Sequence, residues 1–169
     1  MALIISMGST AMEVSLLEAA FLARIRTCGW CNEDYARPGI AGYGITVVSE
    51  YGDPCESQRR CIYLCILAAA SVVILRGDPR AEQIRMFARK AGKICFEVSC
   101  INDRPRFPNG DVVFFLHDAA GDWVHNWIRH IVHAGQVPRS ASAPGLRNYV
   151  PPGRSALHMS KTMALFNGT

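Results

Sequence analysis

The sequence predicts an α+β fold in which N-terminal helices pack on a C-terminal antiparallel sheet. Residues 1–92 hold three segments with helical spacing or helix-capping residues, whereas residues 93–135 are rich in β-branched and aromatic residues. The chain has 169 residues, 50% of them hydrophobic, which suits a single core. We therefore expect a single domain over residues 1–169, with its core at about residues 10–135 and a Pro-rich tail at 136–169.

The first predicted helix begins after Thr10. Thr10 and Glu13 form a capping-box pattern, and apolar residues recur at helical spacing beyond them. We expect this helix to end near residue 27. Turn-forming residues follow, and the β-branched run ITVVS at 45–49 is short.

The second predicted helix begins at Pro54. Asp53 is a good N-cap residue, Pro is favoured at the first helical position, and Glu56 lies in the first turn. The apolar run that follows predicts a helix over residues 54–76, with Gly77 ending it.

A third helix is expected between Pro79 and Gly92, and the sheet follows it. Its strands are predicted in the segments KICFEVSCI, DVVFFLHD and DWVHNWIRHIVHAG. The turn-rich segment NDRPRFPNG separates the first two of them. The sequence therefore predicts an antiparallel sheet from residues 94–133.

Charge and hydropathy narrow the classes of function. Basic residues exceed acidic ones by four and are scattered, which does not favour nucleic-acid binding. The longest apolar run is about 15 residues, short of the roughly 20 that a membrane span needs. The N-terminus has no signal-peptide pattern. Seven cysteines without an export signal predict thiols in a reducing compartment, although the compartment itself stays unassigned.

Cys55 is the candidate nucleophile. It lies in the first turn of the predicted second helix, where unpaired N–H groups and the positive end of the helix dipole favour a thiolate. Cys61 and Cys65 lie four residues apart on the same helix and are expected in the core. Cys61 is the alternative nucleophile if the helix begins later, near Gln58.

A thiolate nucleophile needs a base, and four histidines follow Gly92 in the predicted strands: His117, His125, His130 and His133. His125 is preferred because it opens a predicted strand. His130 would face the opposite side of that strand and is the alternative.

Several motifs resemble the NlpC-type branch of papain-like cysteine peptidases. AGYG places Tyr43 twelve residues before Cys55, and PNGDVVFF supplies a Gly-Asp strand at Gly110. IVHAG, which contains His133, has the hydrophobic-His-Ala form that this family often shows at the third catalytic residue. The resemblance implies Cys55 as nucleophile, His125 as general base, and His133 as the residue that orients it. It also implies that Tyr43 helps the backbone N–H of Cys55 to bind the substrate oxyanion.

The resemblance covers residues 39–135 and implies a papain-like cysteine hydrolase that cleaves an amide or isopeptide bond without a cofactor. A peptide or protein would be the substrate, with peptidoglycan stem peptides or a viral-type target as first classes to test. The alternative is a small zinc-stabilised protein-binding module built around Cys28 and Cys31 in CGWC. Cys95 and Cys100 would be its second ligand pair.

Overall fold

The protein is described by a computed structural model that covers residues 3–107 and 109–133. The strands are β1 (Ile4–Ile5), β2 (Thr27–Asn32), β3 (Ile45–Val48), β4 (Ser71–Leu75), β5 (Ile94–Val98) and β6 (Val112–Phe115). The helices are α1 (Ala11–Leu22), α2 (Pro54–Ala68), α3 (Ala81–Lys90) and α4 (Trp123–His133). Short 3₁₀ turns lie at Ile40–Tyr43 and Asp118–Ala120. The predicted Pro-rich tail at 136–169 lies outside the described residues.

The six strands form one sheet in the order β3-β2-β1-β6-β4-β5, and every strand pair in it is parallel. The predicted α+β, papain-like arrangement with an antiparallel sheet is therefore wrong. Strands and helices alternate along most of the chain, which is the pattern of a doubly wound α/β fold.

Helices cover both faces of the sheet. On one face, α1 and α4 pack through Leu16 and Trp127 against strand residues such as Phe114. On the other, α2 and α3 pack through residues such as Ile66 against Phe115. Successive strand residues point to opposite faces, so β4 and β6 are buried on both sides and consist of apolar runs.

Two predicted helix starts are confirmed. The Thr10 hydroxyl accepts a hydrogen bond from the N–H of Glu13 at 3.1 Å and caps α1. The Asp53 carboxylate accepts one from the N–H of Cys55 at 3.0 Å, with Pro54 as the first residue of α2. Both helices end earlier than predicted, at Leu22 and Ala68.

The prediction of one helix over 54–76 is wrong because the segment contains two elements. Helix α2 ends at Ala68, and β4 begins three residues later at Ser71. The whole segment is apolar, and a strand buried on both faces has the same continuous hydrophobicity as a buried helix. The β-branched run Val72–Ile74 is what favours the strand.

The prediction of strands over residues 122–135 is also wrong, because α4 occupies residues 123–133. Its buried residues recur at helical spacing: Val124, Trp127, Ile128, Ile131 and Val132. Strands β1 and β2 lie in segments that were not predicted to be extended. Among the described residues, no helix is long and apolar enough to cross a membrane.

Candidate ligand-binding site

The strand order places a crevice at the carboxyl edge of the sheet. From β1 the chain moves outward to β2 and β3, then crosses to β4 and β5 on the far side and returns through β6. The chain thus leaves the central strands towards opposite sides of the sheet. The loops after β1, β4 and β6 therefore diverge from one another and leave a crevice at this edge. In open α/β sheets such a switch point is where ligands bind.

A pocket of about 380 Å³ lies at this edge, within the size range of small-molecule sites. We call it the switch-point pocket. Its lining comprises Ser9, Thr10, Tyr35, Cys55, Gln58, Arg59, Ile62, Pro79, Arg80, Gln83 and His117. The lining includes two arginines and no carboxylate, and each arginine pairs with carboxylates behind the lining: Arg59 with Glu56 at 3.2 Å, and Arg80 with Glu13 and Asp78.

The start of α1 forms one wall. The side chain of Asp118 accepts a hydrogen bond from the N–H of Met12 at 3.1 Å, and Thr10 caps Glu13. Within the described part of the chain, the N–H groups of Thr10 and Ala11 have no acceptor. Of the two residues, Thr10 lines the switch-point pocket, so its N–H, at the positive end of the helix dipole, is available to an anion there.

Glu13 joins the three loops that surround the pocket. It is fully buried and accepts hydrogen bonds from the N–H and the hydroxyl of Ser9, both at 2.8 Å. It also accepts from the N–H of Leu116 at 3.3 Å and from Arg80 Nη2 at 3.0 Å. One carboxylate thus connects the β1–α1 loop, the end of β6 and the β4–α3 loop.

Arg80 lies between two buried carboxylates. Its Nη2 lies 3.0 Å from Glu13 Oε1 and 2.8 Å from Asp78 Oδ2. Burial by itself lowers the pKa of Arg80, but the charges of Glu13 and Asp78 outweigh this effect and raise it. Arg80 therefore stays charged, and its Nη1 contacts Ser9 Oγ at 3.3 Å.

Cys55 lies in the first turn of α2, as predicted, and is exposed at the pocket. Its partner is Tyr35, whose hydroxyl lies 3.0 Å from the Cys55 sulfur, and this hydrogen bond raises the pKa of Tyr35. The N–H of Cys55 is already bound by Asp53. It is therefore not free to act as the predicted oxyanion donor.

The structure does not bring the other predicted site residues to Cys55. His125 and His133 lie together in a groove between α1 and α4, on the opposite face of the sheet from α2. His130 lines a separate depression beside Ile101. The hydrolase hypothesis stays a prediction that no contact of these histidines supports.

Tyr43 lies outside the switch-point pocket. Its ring packs edge-on against Phe21, with 5.9 Å between ring centroids, and its carbonyl accepts a hydrogen bond from Thr27. The predicted role of Tyr43 in substrate binding has no structural support at this position.

The zinc-module alternative also lacks a ligand set. Cys28 and Cys31 contribute to two different core clusters, and the described residues contain no group of three metal-ligating side chains. Burial raises the pKa of Cys28 to about 11 and that of Cys31 to about 12. Burial likewise raises the pKa of Cys61 to about 12. Cys31 and Cys61 are buried and Cys28 is half-buried, which disfavours the thiolate form, so the alternative nucleophile Cys61 has no structural support.

Sequence patterns did not identify Ser9 and Arg80 as pocket residues, and they gave His117 only as one of four possible bases. One pattern could have indicated them. Each follows a short apolar run: LIIS precedes MGST, SVVIL precedes RGDPR, and VVFFL precedes HD. Short apolar runs that end in Gly, Ser, Asp or His are typical of parallel strands that lead into site loops.

Comparisons with known proteins support the fold. No protein-family model matches the chain, and no curated protein matches it. A crystal structure from Syntrophus aciditrophicus SB is similar, with a TM-score of 0.55 and 15% identity over 77% of this chain and 91% of that one. That protein has the provisional name molybdenum carrier protein. At this identity the likeness concerns the fold.

Proposed function

We propose that the protein binds a small ligand with a tetrahedral oxyanion group, of the phosphate type, in the switch-point pocket. The observation that carries the proposal is the set of donors at this pocket: Arg59 and Arg80, each also paired with a carboxylate outside the lining, and the unpartnered N–H of Thr10 at the start of α1. Arginine and helix N-termini are the donors that proteins use most often for oxyanions.

The provisional name of the structural neighbour refers to molybdenum. Molybdate is a tetrahedral oxyanion like phosphate and sulfate, so the three anions form a natural set of test ligands. We propose that the hydrogen-bond donors of the pocket provide the affinity, without a covalent bond to the ligand. Binding is the activity proposed here, and it requires no reaction step.

Binding should be measurable by calorimetry with phosphate, sulfate and molybdate at constant ionic strength. The Arg59→Gln variant should bind about three- to tenfold more weakly, because a half-exposed charge contributes about 1 kcal/mol. Arg89→Gln is the matched control, since Arg89 is exposed on α3 and does not line the pocket. Absence of binding of all three anions to the wild-type chain would refute the proposal.

Alkylation provides a second test, with an internal control. Cys55 and Cys100 are the exposed thiols, and Cys100 does not line the pocket. Iodoacetamide should modify both before the buried cysteines. A saturating oxyanion should then slow modification of Cys55 several-fold and leave Cys100 unaffected, as read by peptide mass spectrometry. Equal protection of both thiols would argue against binding in this pocket.

A further inference from the structure

His117 has a fixed tautomer at the edge of the switch-point pocket. It follows β6, it is only 9% exposed, and its ring lines the pocket. Its Nε2 lies 3.1 Å from the carbonyl oxygen of Arg76. A carbonyl can only accept a hydrogen bond, so Nε2 carries the proton.

In the neutral ring the other nitrogen, Nδ1, is then an acceptor. Among the described residues, no donor reaches Nδ1. Among these residues Ser71 Oγ is the one buried side-chain nitrogen or oxygen atom without a partner, so Nδ1 is accessible to solvent at the pocket, where a donor from a bound ligand can reach it. The hydroxyls of Ser9 and Tyr35 can rotate between donating and accepting, whereas the ring of His117 cannot.

Other donors at the wall are the N–H of Thr10 and the guanidinium groups of Arg59 and Arg80, which also pair with carboxylates. A fully ionised sulfate or molybdate has only acceptor oxygens, so it would satisfy these donors but oppose the lone pair of His117. Hydrogen phosphate has one O–H and satisfies both.

We propose that His117 is a specificity-determining residue, which makes the pocket prefer an oxyanion that bears a hydrogen-bond donor over a fully ionised one. This inference rests on the proposed function. A site that offers a fixed acceptor discriminates against ligands without the matching donor by about tenfold or more.

The test is competition calorimetry at pH 8 with phosphate, sulfate and molybdate. Wild-type protein should bind phosphate about tenfold more tightly than either of the others. The His117→Phe variant should bring the ratio close to one, mainly by losing phosphate affinity. The His125→Phe variant is the matched control, because His125 lies in the groove between α1 and α4, outside this pocket, and its replacement should keep the ratio.

The outcomes separate the two proposals. If no anion binds, the proposed function fails. If all three bind with equal affinity to the wild type, or if His117→Phe keeps the preference for phosphate, only the role of His117 is refuted. If the His117→Phe variant does not fold, equal affinities of the wild type for the three anions would still refute the role of His117. The His117→Gln variant then replaces it: its side chain offers both an N–H and an acceptor oxygen and should retain part of the preference for phosphate.

Discussion

Replacing Glu13 by Gln should lower the free energy of unfolding by about 3 kcal/mol, because the amide would leave buried hydrogen-bond donors without an acceptor. Glu13 is fully buried, and its partner Arg80 has little contact with solvent. Asp78 alone would remain to balance the guanidinium. Few single substitutions without a change of size have effects this large.

The hydrogen bonds explain why an amide cannot replace the carboxylate. Oε2 accepts from the N–H and hydroxyl of Ser9, whereas Oε1 accepts from Leu116 and Arg80. Gln has one acceptor oxygen and one NH₂ group. Whichever way it is turned, its NH₂ would face donors, and at least one backbone N–H would lose its partner.

Urea unfolding measures the effect, with Glu18→Gln as the matched control. Glu18 is an exposed carboxylate on the same helix, so its replacement should change stability by less than about 0.5 kcal/mol. The Glu13 variant should also bind oxyanions more weakly, since all three loops it joins border the pocket. A Glu13→Gln protein as stable as the wild type would mean that the loops are held by other contacts.

Local patterns predicted the parts of the fold that local interactions determine. The Thr10–Glu13 and Asp53–Pro54 patterns each identify a helix start, because a cap depends on residues within one turn. The strand direction does not depend on residues close in sequence. β6 pairs with β1, more than one hundred residues away, and no feature of either segment specifies a parallel partner.

Two errors came from weighing residue type against periodicity. In α4, aromatic and β-branched residues suggested strands, although the spacing of Val124, Trp127 and Ile131 was helical. In β4, the predicted helix was continued past Ala69, although a strand buried on both faces begins at Ser71. Periodicity was informative for the surface helix and uninformative for the buried strand.

The candidate site was harder to predict than the fold. The start of α2 placed Cys55 correctly, but its neighbours come from other loops: Tyr35 follows β2, and His117 follows β6. Only the strand order brings these loops together. The histidine-based hypothesis assumed an antiparallel sheet, and in the parallel one His125 and His133 lie on the far face.

Replacing Gly29 by Ala should destabilise the protein by at least about 3 kcal/mol, at the upper end of the range for overpacking, or prevent folding. Gly29 is the Gly of CGWC, in β2. A Cβ atom there would lie 1.8 Å from the backbone oxygen of Ser6 at the end of β1. Backbone cannot rotate away as a side chain can, so β2 would have to move off β1.

That movement would also reach the candidate site. The N–H of Ser6 donates to the carbonyl of Cys28 at 3.0 Å, and the chain continues from Ser6 into the loop at Ser9 that borders the pocket. Separation of the strands would break this bond and displace the loop. Oxyanion binding should therefore weaken in any Gly29→Ala protein that still folds.

Gly42→Ala is the matched control. Gly42 lies in the 3₁₀ turn at Ile40–Tyr43, and a Cβ atom there would meet no atom within 4 Å. This substitution should be neutral or slightly stabilising, by up to about 1 kcal/mol. Chemical denaturation of both variants, with Cys28→Ala beside them, tests what CGWC does. If Cys28→Ala were more damaging than Gly29→Ala and removed bound zinc, the motif would be a metal site; the close contact between β1 and β2 predicts instead that its glycine is the essential residue.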